Sequence, residues 1–112
     1  PVASKPSGPS EDGQGAVVAE HEKLAVEPPK LYQVVMLNDD FTPMEFVVHI
    51  LKEVFNKEAA LATKIMLDVH NKGVGVCGIY PLEIAETKMN IVLRKAREKE
   101  FPLRCTLEVE PS

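Results

Sequence analysis

The chain predicts an α+β fold of order βααβαβ, in which a three-stranded sheet with its first strand central carries three helices on one face. Three observations lead there. Residues 31–37 are apolar on both alternating faces, Tyr32, Val34 and Met36 on one and Leu31, Val35 and Leu37 on the other, as expected of a strand with neighbours on both sides. Two stretches of helical period follow that strand, and a third lies between two later strand patterns. The last two strands are thus joined by a helical crossover and should run parallel, with the right-handed connection that twisted strands favour. Placing the first strand between them, antiparallel to both, gives a split βαβ sheet.

Each element has its own local signal. Residues 1–27 are rich in Pro, Ser, Gly, Ala and Glu, as in Pro6-Ser7-Gly8-Pro9-Ser10, and read as a flexible N-terminal extension. Two lysines against five acids put three of the four net negative charges there. Pro28-Pro29 stiffens the entry to a core domain over 28–112. The central strand ends in Asn38-Asp39-Asp40, and a helix start follows at once. Thr42 reads as its N-cap, Pro43 as its first residue and Glu45 as its third, the capping-box spacing with proline where its missing N–H costs nothing. Val47, Ile50, Leu51 and Val54 then follow i, i+3, i+4, i+7 over residues 43–56, and Asn56-Lys57 breaks the pattern.

A second helix is expected from Glu58 to His70, with Leu61, Ala62, Ile65, Met66 and Val69 on its inner stripe and Gly73 supplying a left-handed cap. Residues 74–80 read as a short strand whose glycines let a neighbour approach closely. Pro81 opens a third helix running to about Glu100, which buries Ala85, Met89, Val92 and Ala96. Leu103, Cys105, Leu107 and Val109 alternate with polar residues as a strand with one buried face.

Composition narrows the function classes. At 112 residues and 45% hydrophobic content the chain can bury one modest core. The net charge of −4 with dispersed basic residues lacks the footprint of a nucleic-acid binder. No apolar run approaches the roughly 18 residues of a membrane span, and no secretory signal pattern opens the chain, so a cytoplasmic location is expected. Cys77 and Cys105 lack C-x-x-C spacing and read as small buried core residues.

Chemistry concentrates at the corner. Asp39 and Asp40 admit a general acid/base pair, a metal site with His70, or a clamp for a cation. Adjacent residues of an extended chain point to opposite sides, which disfavours an acid/base dyad. The spacing to His70 matches no metal motif, and an Asx-type turn at Asn38-Asp39-Asp40 needs no ligand at all. His70 also fits a favourable cation at a helix C-terminus. With no nucleophile elbow, phosphate loop or Cys-His pair, the residues point to a binding module without an enzyme activity, a metal or a cofactor.

A resemblance carries the reading further. Residues 35–47, Val-Met-Leu-Asn-Asp-Asp-Phe-Thr-Pro-Met-Glu-Phe-Val, resemble the signature of the ClpS family of bacterial N-end rule adaptors. So do Met66-Leu67-Asp68-Val69-His70, Gly75-Val76-Cys77-Gly78, Ala85-Glu86-Thr87-Lys88 and Pro102-Leu103-Arg104-Cys105-Thr106-Leu107-Glu108. These five blocks, in order and at compatible spacing, span roughly residues 28–110. The resemblance implies an adaptor that binds proteins whose first residue is Leu, Phe, Tyr or Trp and delivers them to a Clp AAA+ unfoldase of the ClpA type, docking on its N-terminal domain.

By the same resemblance Asn38, Asp39 and His70 hold the substrate's α-amino group and Asp40 shapes the corner. The first side chain enters a pocket walled by Thr42, Met44, Val47, Met66, Val69 and Leu103, with Met44 as a gate against β-branched residues. Glu83 and Lys88 face the unfoldase, which also engages the N-terminal extension. The βααβαβ layout also resembles the C-terminal domain of the ribosomal stalk protein, so a protein-interaction domain with another partner is the alternative.

Overall fold

The computed structural model describes residues 28–111, together with Ser4–Lys5 and Ser7–Gly8, which pair antiparallel as two-residue strands. The flexible extension expected over 1–27 otherwise lies outside the described residues. In the core the order is β1 (Leu31–Leu37), α1 (Met44–Glu53), α2 (Ala59–Lys72), β2 (Val74–Pro81), α3 (Leu82–Glu98) and β3 (Arg104–Val109). The sheet order is β2-β1-β3, and β1 pairs antiparallel with both neighbours. This is the expected split βαβ sheet with its first strand central.

The two faces of β1 have different fates. Val34 and Met36 join Cys77, Leu103 and Cys105 in one core with Val47, Ile50 and Leu51 of α1, Ala62, Ile65 and Val69 of α2, and Ala85, Val92 and Ala96 of α3. The helices therefore cover the Val34–Met36 face. Burying one such aliphatic side chain contributes about 1.5–3 kcal/mol, so β1, with Val34 and Met36 fully buried, anchors the fold. Cys77 and Cys105 are free and buried in this core, as expected. The hydrogen bond it shares with Cys105, and then burial, push the Cys77 thiol up, so it packs as a neutral hydrophobe.

One feature of β2 escaped the alternation pattern. Val34 pairs with Gly78 but Val35 pairs with Val76, leaving Cys77 as an extra residue in a bulge. The bulge lets Gly75, Cys77 and Gly78 all turn inward, which strict alternation forbids. At Gly75 a Cβ would lie 2.7 Å from Val69 Cγ2 and 3.3 Å from the Ile65 carbonyl oxygen, so its absence allows α2 to approach the sheet. Gly78 instead makes room for the Tyr80 side chain, whose ring stacks on Phe55 at 6.3 Å.

The helix ends confirm most local signals and correct one. Gly73 closes α2 at φ 88 with its N–H on the Val69 carbonyl. Asn56 ends the α1 region in the left-handed conformation at φ 56, and Lys57 N–H closes back on the Leu51 carbonyl. The expected Thr42 capping box does not form. Pro43 is the N-cap of α1, with no side-chain cap bond, because the Thr42 hydroxyl is bonded to Asp39.

A methyl group at Gly78 must displace Tyr80, since its position lies 2.4 Å from the tyrosine oxygen and 2.7 Å from two ring carbons. Gly78→Ala is expected to cost about 1–3 kcal/mol in urea denaturation, the range for overpacking a core. The loss should shrink when Tyr80 is cut to Ala in the same chain; an undiminished loss would assign it to the backbone instead.

Candidate functional site

The site is built where β1 ends. Beyond Leu37 the chain leaves the sheet, and the Asn38 N–H donates to the Gly73 carbonyl at 2.9 Å, tying the strand end to the turn that closes α2. That bond sets Asn38–Thr42 beside the last turns of α2. Between them and the start of α1 lies a cavity of about 230 Å³. Its lining is polar at Asn38, Asp39, Asp40, Thr42 and His70, and apolar at Met44, Val47, Met66 and Val69.

These elements hold their side chains unequally. Val47 and Val69 are buried and belong to the core, so these walls are fixed by packing. Met66 is half-buried and Met44, the first residue of α1, is 43% exposed. His70 is exposed on the C-terminal part of α2. Leu103 does not line the cavity; it is 5% exposed within the core cluster.

The two aspartates differ sharply. Asp39 Oδ1 accepts the N–H of Phe41 at 2.8 Å and of Thr42 at 2.7 Å, while Oδ2 accepts the Thr42 hydroxyl at 2.8 Å. Burial pushes the Asp39 carboxyl up, but the Thr42 hydroxyl, the two backbone N–H groups and the charge of Arg104 outweigh it and hold the group below its ordinary value. Asp40 is exposed and makes no side-chain hydrogen bond to another described residue. The Asx turn anticipated at this corner is therefore real and belongs to Asp39, with the cavity beside it.

The residues expected to face a partner lie on α3. Glu83 is exposed in its first turn. Lys88 is half-buried: its Nζ donates to the Val54 carbonyl at 2.8 Å and lies 5.2 Å from the Tyr80 ring centroid. Its charge thus meets a free carbonyl at the end of α1, where a cation is favourable. A second, larger cavity of about 480 Å³ lies at the far end of β1, among Pro28, Pro29, Leu31, Val109 and Pro111. Only Lys30 and Glu110 add charge there, so it lacks the convergent polar groups of the first. Among the described residues no three His, Cys, Asp or Glu side chains are placed to hold a metal ion, and no helix is long and apolar enough to cross a membrane.

Comparison with known proteins places this arrangement. Residues 27–106 match the family model described as ATP-dependent Clp protease adaptor protein ClpS. The chain belongs to the ClpS family. It is 54% identical over 101 residues to the ATP-dependent Clp protease adapter protein ClpS of Leptothrix cholodnii, covering 90% of this chain and 88% of that one. Against the Caulobacter vibrioides ClpS it is 49% identical over 107 residues, covering 96% and 98%. The structure of Agrobacterium tumefaciens ClpS2 bound to L-phenylalaninamide superposes with a TM-score of 0.72 at 41% identity, covering 74% of this chain and all of that one. As a ClpS-family member the protein is a Clp protease adaptor, and its partner is the Clp protease.

Sequence reasoning found the ClpS corner but missed one part of it. Thr42 is a bonding partner of Asp39, a use that its capping-box spacing concealed. Gly75 does what was expected of the strand glycines, and the structure identifies α2 as the neighbour that approaches.

The lowered pKa of Asp39 has a direct consequence. Its contribution to stability is fully present above the unfolded value, near 3.8, and is lost as pH falls through the lower native value. Denaturation at neutral pH and again below 3.8 should show the native protein losing more stability than Asp39→Asn, which has no carboxyl to protonate. Equal losses would place the acid sensitivity elsewhere.

Proposed function

We propose that this adaptor binds the free N-terminus of proteins whose first residue is Leu, Phe, Tyr or Trp and hands them to a Clp AAA+ unfoldase of the ClpA type, itself performing no chemistry. The observation that carries this reading is the composition of one cavity, with acceptors converging at Asn38, Asp40 and His70 and apolar walls at Met44, Val47, Met66 and Val69. An α-ammonium is a cation with three donors, and burying it without acceptors would be prohibitive. A neutral imidazole, an amide oxygen and a carboxylate supply three. Phenylalaninamide, the ligand of the related ClpS2, has that combination of free amine and bulky side chain.

The roles of the two aspartates are exchanged relative to the family-based expectation. Asp39 spends both oxygens inside the corner, whereas Asp40 offers an unbonded carboxylate beside the cavity. Met44 suits a gate because it is flexible enough to admit flat and γ-branched side chains, yet fills the space that a β-methyl needs. Leu103 supports the walls from the core. Each charge-assisted bond adds about 1.5–3 kcal/mol, and burying a Leu or Phe side chain about as much. Association opposes this by about 4–15 kcal/mol of lost freedom, which favours roughly micromolar affinity, suited to a carrier that must release its load. Glu83 and the surface around Lys88 form the unfoldase-facing side, and residues 1–27 are engaged during hand-off.

Fluorescence-anisotropy titration tests the clamp and gate together, using one labelled peptide with N-terminal Leu, its acetylated form, and the same peptide with N-terminal Ile. Tight binding of the free Leu form alone is expected. Equal binding of all three would leave an interaction domain that reads neither amine nor side chain. Deleting residues 1–27 should leave peptide affinity unchanged and slow degradation of a Leu-tagged reporter by the Clp protease; an unchanged rate would make the extension a mere leader.

A further inference from the structure

The start of α1 is held in an unusual way. Its N-cap is Pro43, which has no N–H and makes no side-chain cap bond. The first helical bonds, from Phe46 and Val47 N–H to the Pro43 carbonyl, leave Pro43 itself to be placed by the residue before it. That residue, Thr42, is fixed by two of the three bonds that Asp39 accepts, through its N–H and its hydroxyl. Met44 comes two residues later, exposed at the cavity and outside the buried core.

The amine side of the site has a separate anchor. Asn38 is tied through its N–H to Gly73, three residues beyond His70, and that bond involves neither Asp39 nor Thr42. Asp40 lies inside the turn that Asp39 closes, so Asn38 and His70 are fastened apart from that turn while Asp40 is held by the two backbone bonds to Asp39.

Building on the peptide-binding reading above, we infer that Asp39 and Thr42 are positioning residues that lock the first turn of α1, and that the Thr42 hydroxyl bond of this lock governs selectivity for the first side chain while leaving recognition of the amine intact. When the lock opens, the uncapped first turn is free to fray, since a helix terminus without a capping partner leaves its first N–H groups unsatisfied. Met44 then moves, and the space that excludes a β-methyl opens. Val47, held by the core, keeps the apolar wall in place, so a Leu side chain is still accepted.

The test titrates the same three peptides, free Leu, acetylated Leu and free Ile, against Asp39→Ala, Thr42→Val and the double variant, with Asp39→Asn and Thr42→Ser as conservative controls. Serine retains the hydroxyl, so Thr42→Ser should behave as the native protein; asparagine retains an oxygen for both backbone N–H groups but replaces the acceptor of the Thr42 hydroxyl with an NH2 group, so Asp39→Asn should fall between the native protein and Asp39→Ala. Asp39→Ala and Thr42→Val should each lower the Leu-over-Ile preference by about fivefold to tenfold, the scale set by losing a cap interaction. In Thr42→Val the free-over-acetylated preference should stay within about twofold, because Asp39 still closes the turn around Asp40 and the groups meeting the amine retain their charge-assisted bonds. The double variant should lose no more than the worse single one, as expected for two members of one bonded unit.

The inference is overturned if Thr42→Val abolishes amine discrimination, which would make the Thr42 hydroxyl bond part of the amine's own anchor. It is equally overturned if Thr42→Val leaves the Leu-over-Ile preference unchanged, or if the two losses add. Failure of the underlying reading looks different: the native protein itself would then bind the acetylated peptide as well as the free one.

Discussion

A single carboxylate at a strand-to-helix corner is the interaction on which the geometry of this site depends. Asp39 accepts three hydrogen bonds within three residues of itself, two from backbone N–H groups and one from a hydroxyl. Bonds to an ionised acceptor are roughly twice as strong as neutral ones, so this short segment is held far more firmly than a loop of its length. The rigidity serves two purposes at once: it ends β1 sharply beside the α2 terminus, and it delivers α1 at a fixed angle without a cap of its own.

The rest of the fold supplies what the corner cannot. A central strand buried on the helix side gives the corner a firm root, and the bulge at Cys77 lets Gly75, Cys77 and Gly78 all face inward. Through Gly75 the second helix comes close enough for Val69 to serve both core and cavity. A cavity wall made of core residues is costly to alter, whereas Met44 is the exposed member of the apolar lining.

The two neighbouring aspartates are used differently. Asp39 is saturated by its own turn and adds shape, while Asp40 leaves its charge available. Lys88 shows the same economy on α3, its ammonium committed to a carbonyl at the end of α1 and to the Tyr80 ring. Residues matched by family motif thus keep their positions, while their contacts depend on what this chain places around them.

The sequence alone determined the element order, the central placement of β1, the left-handed closure at Gly73 and the buried state of both cysteines. Those properties follow from local periodicity and turn chemistry, which act over a few residues and are written in consecutive positions. The tertiary structure alone decided that Thr42 bonds Asp39 instead of capping α1, that Cys77 sits in a bulge, that Leu103 lies in the core away from the cavity, and that Asp40 is the carboxylate left free. Each of these is a competition for one partner between groups that are equally eligible in sequence. Such competitions are settled by distances fixed when the sheet and helices pack, and no pattern along the chain records them.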